Sequence, residues 1–328
     1  MRAAVITRPG GPEVLEIVER PVPDYGANEI LVRAHASALN RADLLQREGH
    51  YPAPPGAPVD IPGLEFAGEV VRLGDRVTSC RRGDRVFGIV AGGANAEYLV
   101  TDAGTVARIP ENLSWTEAAA IPEAFITAHD ALVMQAQVMP GERILIHAVG
   151  SGVGLAATQL ARAWGATPFG TARTADKIER AREVGLADGV VVDDVAALPA
   201  ALDALTSGKG IDITLDLLGG PYLDASIRAA ALRGRIMLIG TVAGRIASIP
   251  LGMVLAKRLS LRGTVLRARS VEEKRSVTAA FIGDVVPLLA SGAVRATIDS
   301  VFPLDEIRGA HERLAGNGTF GKVVLQII

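Results

Sequence analysis

Five consecutive residues, Gly150-Ser151-Gly152-Val153-Gly154, sit where an apolar run, Arg143 to Val149, gives way to a helix-grade one, Val153 to Trp164. A glycine turn between strand and helix lets the backbone approach a diphosphate, and free N–H groups at the helix start point at its negative charge. Alone, such a turn is a weak sign, because many strand-to-helix turns carry glycine only in order to turn. Its sequel is more specific. A second strand, Thr167 to Thr171, runs into Ala172-Arg173-Thr174-Ala175-Asp176-Lys177. A site for NADH usually places a carboxylate at this strand's end, about 20 residues after the turn, to hold the ribose hydroxyls. Here that place holds Thr171, Ala172 and Arg173. Asp176 falls in the first turn of the next helix, where an acid suits the helix dipole. Arg173 and Lys177 put positive charge where a 2′-phosphate would lie, which favours NADPH. The competing account makes both of them solvated helix-start cations.

The other candidates lie nearer the N-terminus. Tyr51 opens the stretch Tyr51-Pro52-Ala53-Pro54-Pro55-Gly56-Ala57-Pro58, which has few accessible shapes and cannot pair in a sheet. A phenol, with an ordinary pKa of about 10, donates a hydrogen bond at neutral pH and can polarise a carbonyl oxygen. An aromatic ring packed on prolines is the alternative. Asn40 is placed as N-cap of a short helix, Asn40 to Glu48. Asp43 lies in that helix's first turn, where an acid usually serves the dipole. The single cysteine, Cys80, has no base near it in sequence. The five histidines, His35, His50, His129, His147 and His311, show no pair at the spacing of helical metal ligands. His147 ends the first strand of the glycine-turn unit and reads as structural.

These residues need two kinds of scaffold. The first hundred or so residues are β-rich: Met1 to Thr7, Val14 to Glu19, Glu29 to Ala38, Phe66 to Leu73, Arg85 to Val90 and Ala96 to Val100 alternate with Gly and Pro turns, as in a compact barrel-like domain. Ser114 with Glu117 forms a capping box where helical character begins. From Arg143 strands and helices alternate, which implies a parallel, doubly wound sheet covered on both faces. Its strands are Arg143 to Val149, Thr167 to Thr171, Gly189 to Val192, Ile211 to Leu217, Arg235 to Gly240 and Ser260 to Leu266. Leu218-Gly219-Gly220 and Ile239-Gly240-Thr241 follow two of these strands, and carboxyl ends of strands line the ligand crevice of such sheets. A helix from Val271 to Ser291, a strand from Thr297 to Phe302, a helix from Leu304 to Ala315 and a strand from Lys322 to Ile328 close the chain, a tail suited to completing the first domain.

At 328 residues two domains are expected, and the charge balance, 34 Lys and Arg against 36 Asp and Glu, offers no basic excess to attract nucleic acid. One cysteine excludes an intrachain disulfide and a cysteine-cluster metal site. No apolar run is long enough to cross a bilayer, the start does not read as a signal peptide, and a cytoplasmic location is expected.

Several segments together carry a family resemblance. Asn40-Arg41-Ala42-Asp43-Leu44, Gly49-His50-Tyr51-Pro52, Ile61-Pro62-Gly63-Leu64-Glu65, Gly83-Asp84-Arg85-Val86, Thr127-Ala128, Gly152-Val153-Gly154 and Gly321-Lys322-Val323-Val324-Leu325 resemble, in order and across nearly the whole chain, the quinone oxidoreductase branch of the medium-chain dehydrogenase/reductase superfamily. At the turn, Gly150 and Ser151 stand in exchanged order relative to that branch's usual Ser-Gly. The resemblance implies an α/β fold: a GroES-like β-rich catalytic domain, residues 1–122 completed by 267–328, and a Rossmann NADPH-binding domain, residues 123–266. It implies that Asn40 lies near the nicotinamide, that Thr127 and Lys322 contact that end of the cofactor, and that Leu266 lines the site. It implies a homodimer joined near Gly234 to Thr241 and Ser260 to Leu266, in keeping with the aggregation risk of an exposed apolar edge strand. The zinc-holding branch keeps Cys and His where this chain has Ser37 and Leu64, so a zinc site is not expected. The expected activity is zinc-independent hydride transfer from NADPH to a quinone, with Tyr51, Asn40 and Asp43 as catalytic candidates. An α,β-unsaturated carbonyl is the alternative acceptor. A non-catalytic NADPH sensor or RNA-binding protein is the alternative of another class.

Overall fold

The β-branched runs at the start of the chain form strands in the computed structural model, which describes residues 1–328. β1 (Arg2–Ile6) and β2 (Leu15–Glu19) pair antiparallel. β3 (Glu29–Leu39) leads directly into helix α1 (Arg41–Arg47) and is followed by β4 (Glu65–Leu73), β5 (Arg85–Ile89), β6 (Tyr98–Asp102) and β7 (Val106–Arg108). β7 was not anticipated; three residues are too few to show an alternation. β3 is the organising strand. It pairs antiparallel with β4 along most of its length and with β6. Its apolar side chains, with Phe66, Val86 and Leu99, build the core of this unit.

Ser114 caps α2 (Trp115–Ala119) through the expected box: its N–H donates to Glu117 Oε2 at 2.9 Å, and the Glu117 N–H donates to Ser114 Oγ at 3.3 Å. α3 (Pro122–His129) follows, and the chain divides inside it into two compact units, Met1–Ile126 with Leu266–Ile328, and Thr127–Val265. The helix shows no break at that point, so no turn signal marks the division in the sequence.

The second unit alternates β8 (Arg143–Ile146), α4 (Gly152–Ala163), β9 (Thr167–Ala172), α5 (Ala175–Glu183), β10 (Asp188–Val191), α6 (Leu198–Leu205), β11 (Ile211–Asp216), α7 (Pro221–Ala229), β12 (Ala230–Leu238), α8 (Leu251–Lys257) and β13 (Ser260–Gly263). All six strands run parallel in the order β10-β9-β8-β11-β12-β13. In chain order that is 3-2-1-4-5-6, the arrangement of a doubly wound dinucleotide-binding sheet. β12 begins at Ala230, ahead of the expected Arg235, with a register shift between Ile211 and Ile213 of its neighbour. β13 ends at Gly263, so Leu266 lies beyond the strand.

The tail returns to the first unit. The expected single helix is split into α9 (Val271–Asp284) and α10 (Val286–Ala290). Pro287 has no N–H to donate and crowds the turn before it, which breaks the helix at Val285. β14 (Ile298–Pro303), α11 (Ile307–Ala315) and β15 (Lys322–Gln326) complete the chain. β15 pairs antiparallel with the C-terminal half of β3, Val323 facing Leu39, and β14 lies parallel on its far side. No helix is long and apolar enough to cross a membrane.

Candidate active site

The β3–β15 pairing brings Lys322, at the start of β15, to the end of β3 where α1 begins. Its ammonium donates to the Leu39 carbonyl at 2.9 Å and to Asn40 Oδ1 at 2.6 Å, and it lies 2.6 Å from Glu65 Oε1. Asn40 Nδ2 donates to the same Glu65 oxygen at 2.9 Å. The other oxygen, Glu65 Oε2, accepts the Glu123 N–H at 2.8 Å, an amide from the first turn of α3 that has no acceptor within its own helix. Residues that are 25 to 282 positions apart thus form one hydrogen-bonded group. Glu65 and Lys322 are both buried.

Asp43 is placed in the first turn of α1, as the sequence suggested, and it is fully buried. One oxygen accepts the Asn40 N–H at 2.7 Å and caps the helix; the other accepts the Gly63 N–H at 2.9 Å and fixes the turn before β4. Burial pushes its pKa up to about 6. With both oxygens occupied and no exposed surface, Asp43 shapes the site from behind. Glu123 keeps part of its surface open. Burial, and then the nearby Glu65 carboxylate, push its pKa up to about 8.

Tyr51 is half-buried at the head of the proline stretch, and burial raises its pKa. It is held by a residue that nothing in the local sequence singled out. Arg267 donates to the Tyr51 carbonyl at 3.2 Å, to the Ala91 carbonyl at 2.8 Å and to Gln46 Oε1 at 2.6 Å. Its guanidinium carbon stands 4.9 Å from the centre of the Tyr51 ring. One buried cation therefore fixes the proline stretch to α1 and to the turn after β5. Glu65 and Glu123 were also missed as site members. The available signal was that each charge interrupts an apolar stretch, Ile61 to Phe66 and Ala118 to Phe125.

In the second unit the glycine turn follows β8. Ser151 is the N-cap of α4 and accepts the Gly154 N–H at 3.1 Å, so the exchanged Gly150-Ser151 order still leaves a capped helix. The amides of Gly152 and Val153 open the helix without helical acceptors. Gly154 packs against the turn so closely that a Cβ there would lie 2.6 Å from the Val149 carbonyl oxygen. Thr171 and Ala172 close β9 and are buried, Arg173 is exposed just beyond it, and Lys177 is half-buried one turn into α5. His147 is buried under the turn, within 2.9 Å of both Thr171 Oγ1 and Ser226 Oγ. Burial lowers its pKa to about 4. It ties β9 to α7 and does not face solvent.

The carboxyl ends of β11 and β12 share the same edge of this sheet. Asp216 Oδ1 accepts the N–H groups of Leu218 at 2.9 Å and Gly219 at 2.8 Å, while its buried Oδ2 has no partner in the protein. The Asp216 carbonyl accepts the Ile239 N–H at 2.7 Å and the Gly240 N–H at 3.2 Å, and Thr241 follows. Gly240 lies so close to the preceding β11 loop that a Cβ would sit 2.6 Å from the Leu217 carbonyl oxygen. An open glycine turn, unpaired helix-start amides and an orphaned buried carboxylate oxygen at one sheet edge suit a dinucleotide. Thr127 is buried in α3, and Leu266 is buried in the first unit.

Ser37 is buried and donates to Asn95 Oδ1 at 2.7 Å, and Leu64 is packed in the core. No group of three or more His, Cys, Asp or Glu side chains is placed to hold a metal ion.

A doubly wound sheet entered through a glycine turn, carried on one chain with an Asn40–Lys322 β unit, has the features of a medium-chain dehydrogenase/reductase. Residues 152–281 match the family model for zinc-binding dehydrogenases, and residues 26–111 match that for the alcohol dehydrogenase GroES-like domain. Quinone oxidoreductase from Homo sapiens is 32% identical over 333 aligned residues, 99% of this chain and 97% of the relative. Quinone oxidoreductase-like protein 2 from Rattus norvegicus is 31% identical over 328 residues, 99% of this chain and 92% of the relative. The Escherichia coli quinone oxidoreductase, solved in complex with NADPH, is 29% identical with a TM-score of 0.89 over the full length of both chains. The chain belongs to the quinone oxidoreductase family of the medium-chain dehydrogenase/reductase superfamily.

Proposed function

We propose that this protein is an NADPH-dependent quinone reductase that works without zinc. The observation that carries the cofactor choice is the end of β9, where Thr171, Ala172 and Arg173 stand in place of a ribose-binding carboxylate and Lys177 follows in α5. Gly150 to Gly154 would receive the diphosphate, and Leu218, Gly219, Ile239, Gly240 and Thr241 would line the crevice at the sheet edge. Thr127, Asn40, Leu266 and Lys322 are assigned to the nicotinamide end. Bound NADPH would supply the hydride. Family membership and the NADPH complex of the E. coli relative support this reading.

The chain's own contribution is placement and electrostatics. Lys322 and Glu65 fix the Asn40 amide, which leaves its orientation little freedom. Arg267 fixes the backbone of Tyr51, and the Tyr51 phenol donates a hydrogen bond to the acceptor's carbonyl oxygen, where negative charge grows during hydride transfer. A flat, apolar, electron-poor acceptor needs little more than this orientation. The test is NADPH consumption with an ortho-quinone, a linear enone or no acceptor, with NADH alongside. Turnover with NADPH and the quinone is expected. Turnover with the enone alone moves the protein to the unsaturated-carbonyl reading, and equal use of NADH removes the phosphate-site assignment. NADPH binding without turnover would favour a sensor.

Two copies are proposed to join through β13, whose four residues are all exposed at the sheet edge; Leu261 within it is 46% accessible and Val265, two residues past its end, 51%. Open N–H and C=O groups flanked by apolar side chains invite a partner strand. Light scattering at a single chain mass would sink this. A cytoplasmic location is proposed from composition, with its one buried cysteine, Cys80, and fractionation would test it.

A further inference from the structure

Three Lys or Arg side chains are buried in this chain, Arg47, Arg267 and Lys322. Arg47 has the Glu48 carboxylate at 3.0 Å, and Lys322 has that of Glu65 at 2.6 Å. Arg267 has no carboxylate in contact. Its hydrogen bonds go to three neutral oxygens, the carbonyls of Ala91 and Tyr51 and the side-chain amide of Gln46. The acids within electrostatic reach of it are Asp43 in α1 and Glu123 in α3, and Lys274 in α9 is the neighbouring cation. Asp43 spends both oxygens on backbone amides. Glu123, its pKa pushed by burial up to about 8, carries little charge at neutral pH. A guanidinium taken out of water calls for a countercharge, and the protein places none against this one.

What the guanidinium does face is the Tyr51 ring. Its central carbon lies over that ring, 4.9 Å from the centre, inside the ~6 Å at which a cation is drawn to an aromatic face. The same group holds the Tyr51 carbonyl at 3.2 Å, so one side chain sets both ring and backbone. Positive charge against the ring favours electron withdrawal from the phenol oxygen and makes its O–H a stronger donor. Resting on the quinone-reductase reading, we infer that Arg267 is the positioning residue for Tyr51, and that its charge, acting through the phenol, stabilises the negative charge that hydride transfer leaves on the acceptor's oxygen. No proton or electron passes through Arg267. A cation fixed in advance by three acceptors needs no rearrangement when the anion forms. Tyr51 touches the acceptor, and Arg267 acts from behind it.

The test neutralises the cation without removing it. Gln46→Glu keeps the oxygen to which Arg267 Nη2 donates at 2.6 Å and makes it part of a carboxylate, giving up the 3.3 Å bond from Gln46 Nε2 to the Val59 carbonyl. In the full-length variant, kcat with NADPH and a quinone should fall by roughly 10-fold, with the KM for NADPH unchanged. Tyrosinate absorbance, taken as the difference from the same protein carrying Tyr51→Phe, should show the Tyr51 phenol titrating at higher pH than in the wild type. In a Tyr51→Phe background the ring stays and the O–H is gone, so Gln46→Glu should cost little further. Should Gln46→Glu not fold, Arg267→Gln carries the same expectations. An unchanged kcat with an unchanged phenol titration, or an equal loss with and without the phenol, would show that Arg267 only packs the proline stretch, and the reductase reading would stand. A wild type that oxidises NADPH with no quinone ends the reductase reading and the charge-stabilising role together; the phenol titration, which needs no turnover, separately decides whether the cation acts on Tyr51.

Discussion

Around Gly150 to Gly154 the groups available to a ligand are backbone amides, set by a turn and a helix within about one dozen residues. Around Lys322 they are two buried charged side chains, Glu65 from β4 and Lys322 from β15, held with the Asn40 amide at the start of α1, the Leu39 carbonyl at the end of β3 and a backbone N–H of α3. The first arrangement keeps its helix cap with Gly150 and Ser151 in exchanged order, since Ser151 still accepts the Gly154 N–H. The second concentrates charge in the protein interior, where every ion must be matched. A local turn suits a diphosphate common to many cofactors. A network drawn from several elements holds the Asn40 amide in one orientation.

The sharpest way to separate the two regions is to remove one charge. Lys322→Met leaves Glu65 buried without its cation, and urea unfolding should show a loss of about 3–5 kcal/mol. Adding Glu65→Gln should recover most of that loss, because the burden is the unmatched charge and not the missing contact. Failure to recover would mean that Lys322 acts mainly by packing.

The second unit answers to acid. His147 has its pKa lowered to about 4 in the folded chain, mainly by burial, from the ordinary histidine value of about 6.5. The unfolded chain therefore binds the proton first, and the stability His147 lends above pH 6.5 is lost as pH falls toward 4. One pKa unit corresponds to about 1.4 kcal/mol, so roughly 3 kcal/mol is at stake. His311, lowered to about 3 beside Arg47, adds a loss of the same sign in the first unit. Urea midpoints measured from pH 7 to 4 should decline, and His147→Gln should flatten that decline. An unchanged slope would remove His147 from the account.

Gly154→Ala should have the smallest effect on folding and a selective one on binding. The new methyl meets the backbone oxygens of Val149 and Ala148 at 2.6 and 2.7 Å, so the turn must open, at about 1–3 kcal/mol. NADPH affinity, read by fluorescence quenching, should fall with it. Unchanged affinity would show that the turn's shape is not what receives the cofactor.

What could be read in advance follows the same division. The sheet strands, the Gly turn and the Ser114–Glu117 cap rest on neighbours in sequence, and the apolar periodicity and cap chemistry were legible. Asn40, Asp43 and Lys322 were picked out, but Asp43 as a dipole acid gave no hint that it would grip Gly63. Glu65 and Glu123 showed only that each interrupts an apolar stretch, and Arg267 showed nothing local, because a charge that will be buried looks in sequence much like one that will be solvated. Their meaning depends on strand pairing between β3, β4 and β15, which no window of neighbouring residues contains. The division expected after residue 122 also falls inside α3, four residues before the observed one after Ile126, and no turn signal within the helix marks it more closely.

The late position of Arg267 and Lys322 has a consequence for synthesis. The acids Asp43, Glu65 and Glu123 leave the ribosome long before either cation exists. Until residue 267 emerges, the proline stretch has no guanidinium to hold it, and until residue 322 emerges, β3 lacks β15 as a neighbour. The contacts that Arg267 and Lys322 make with the proline stretch and with β3 therefore form only after the chain between them has been made.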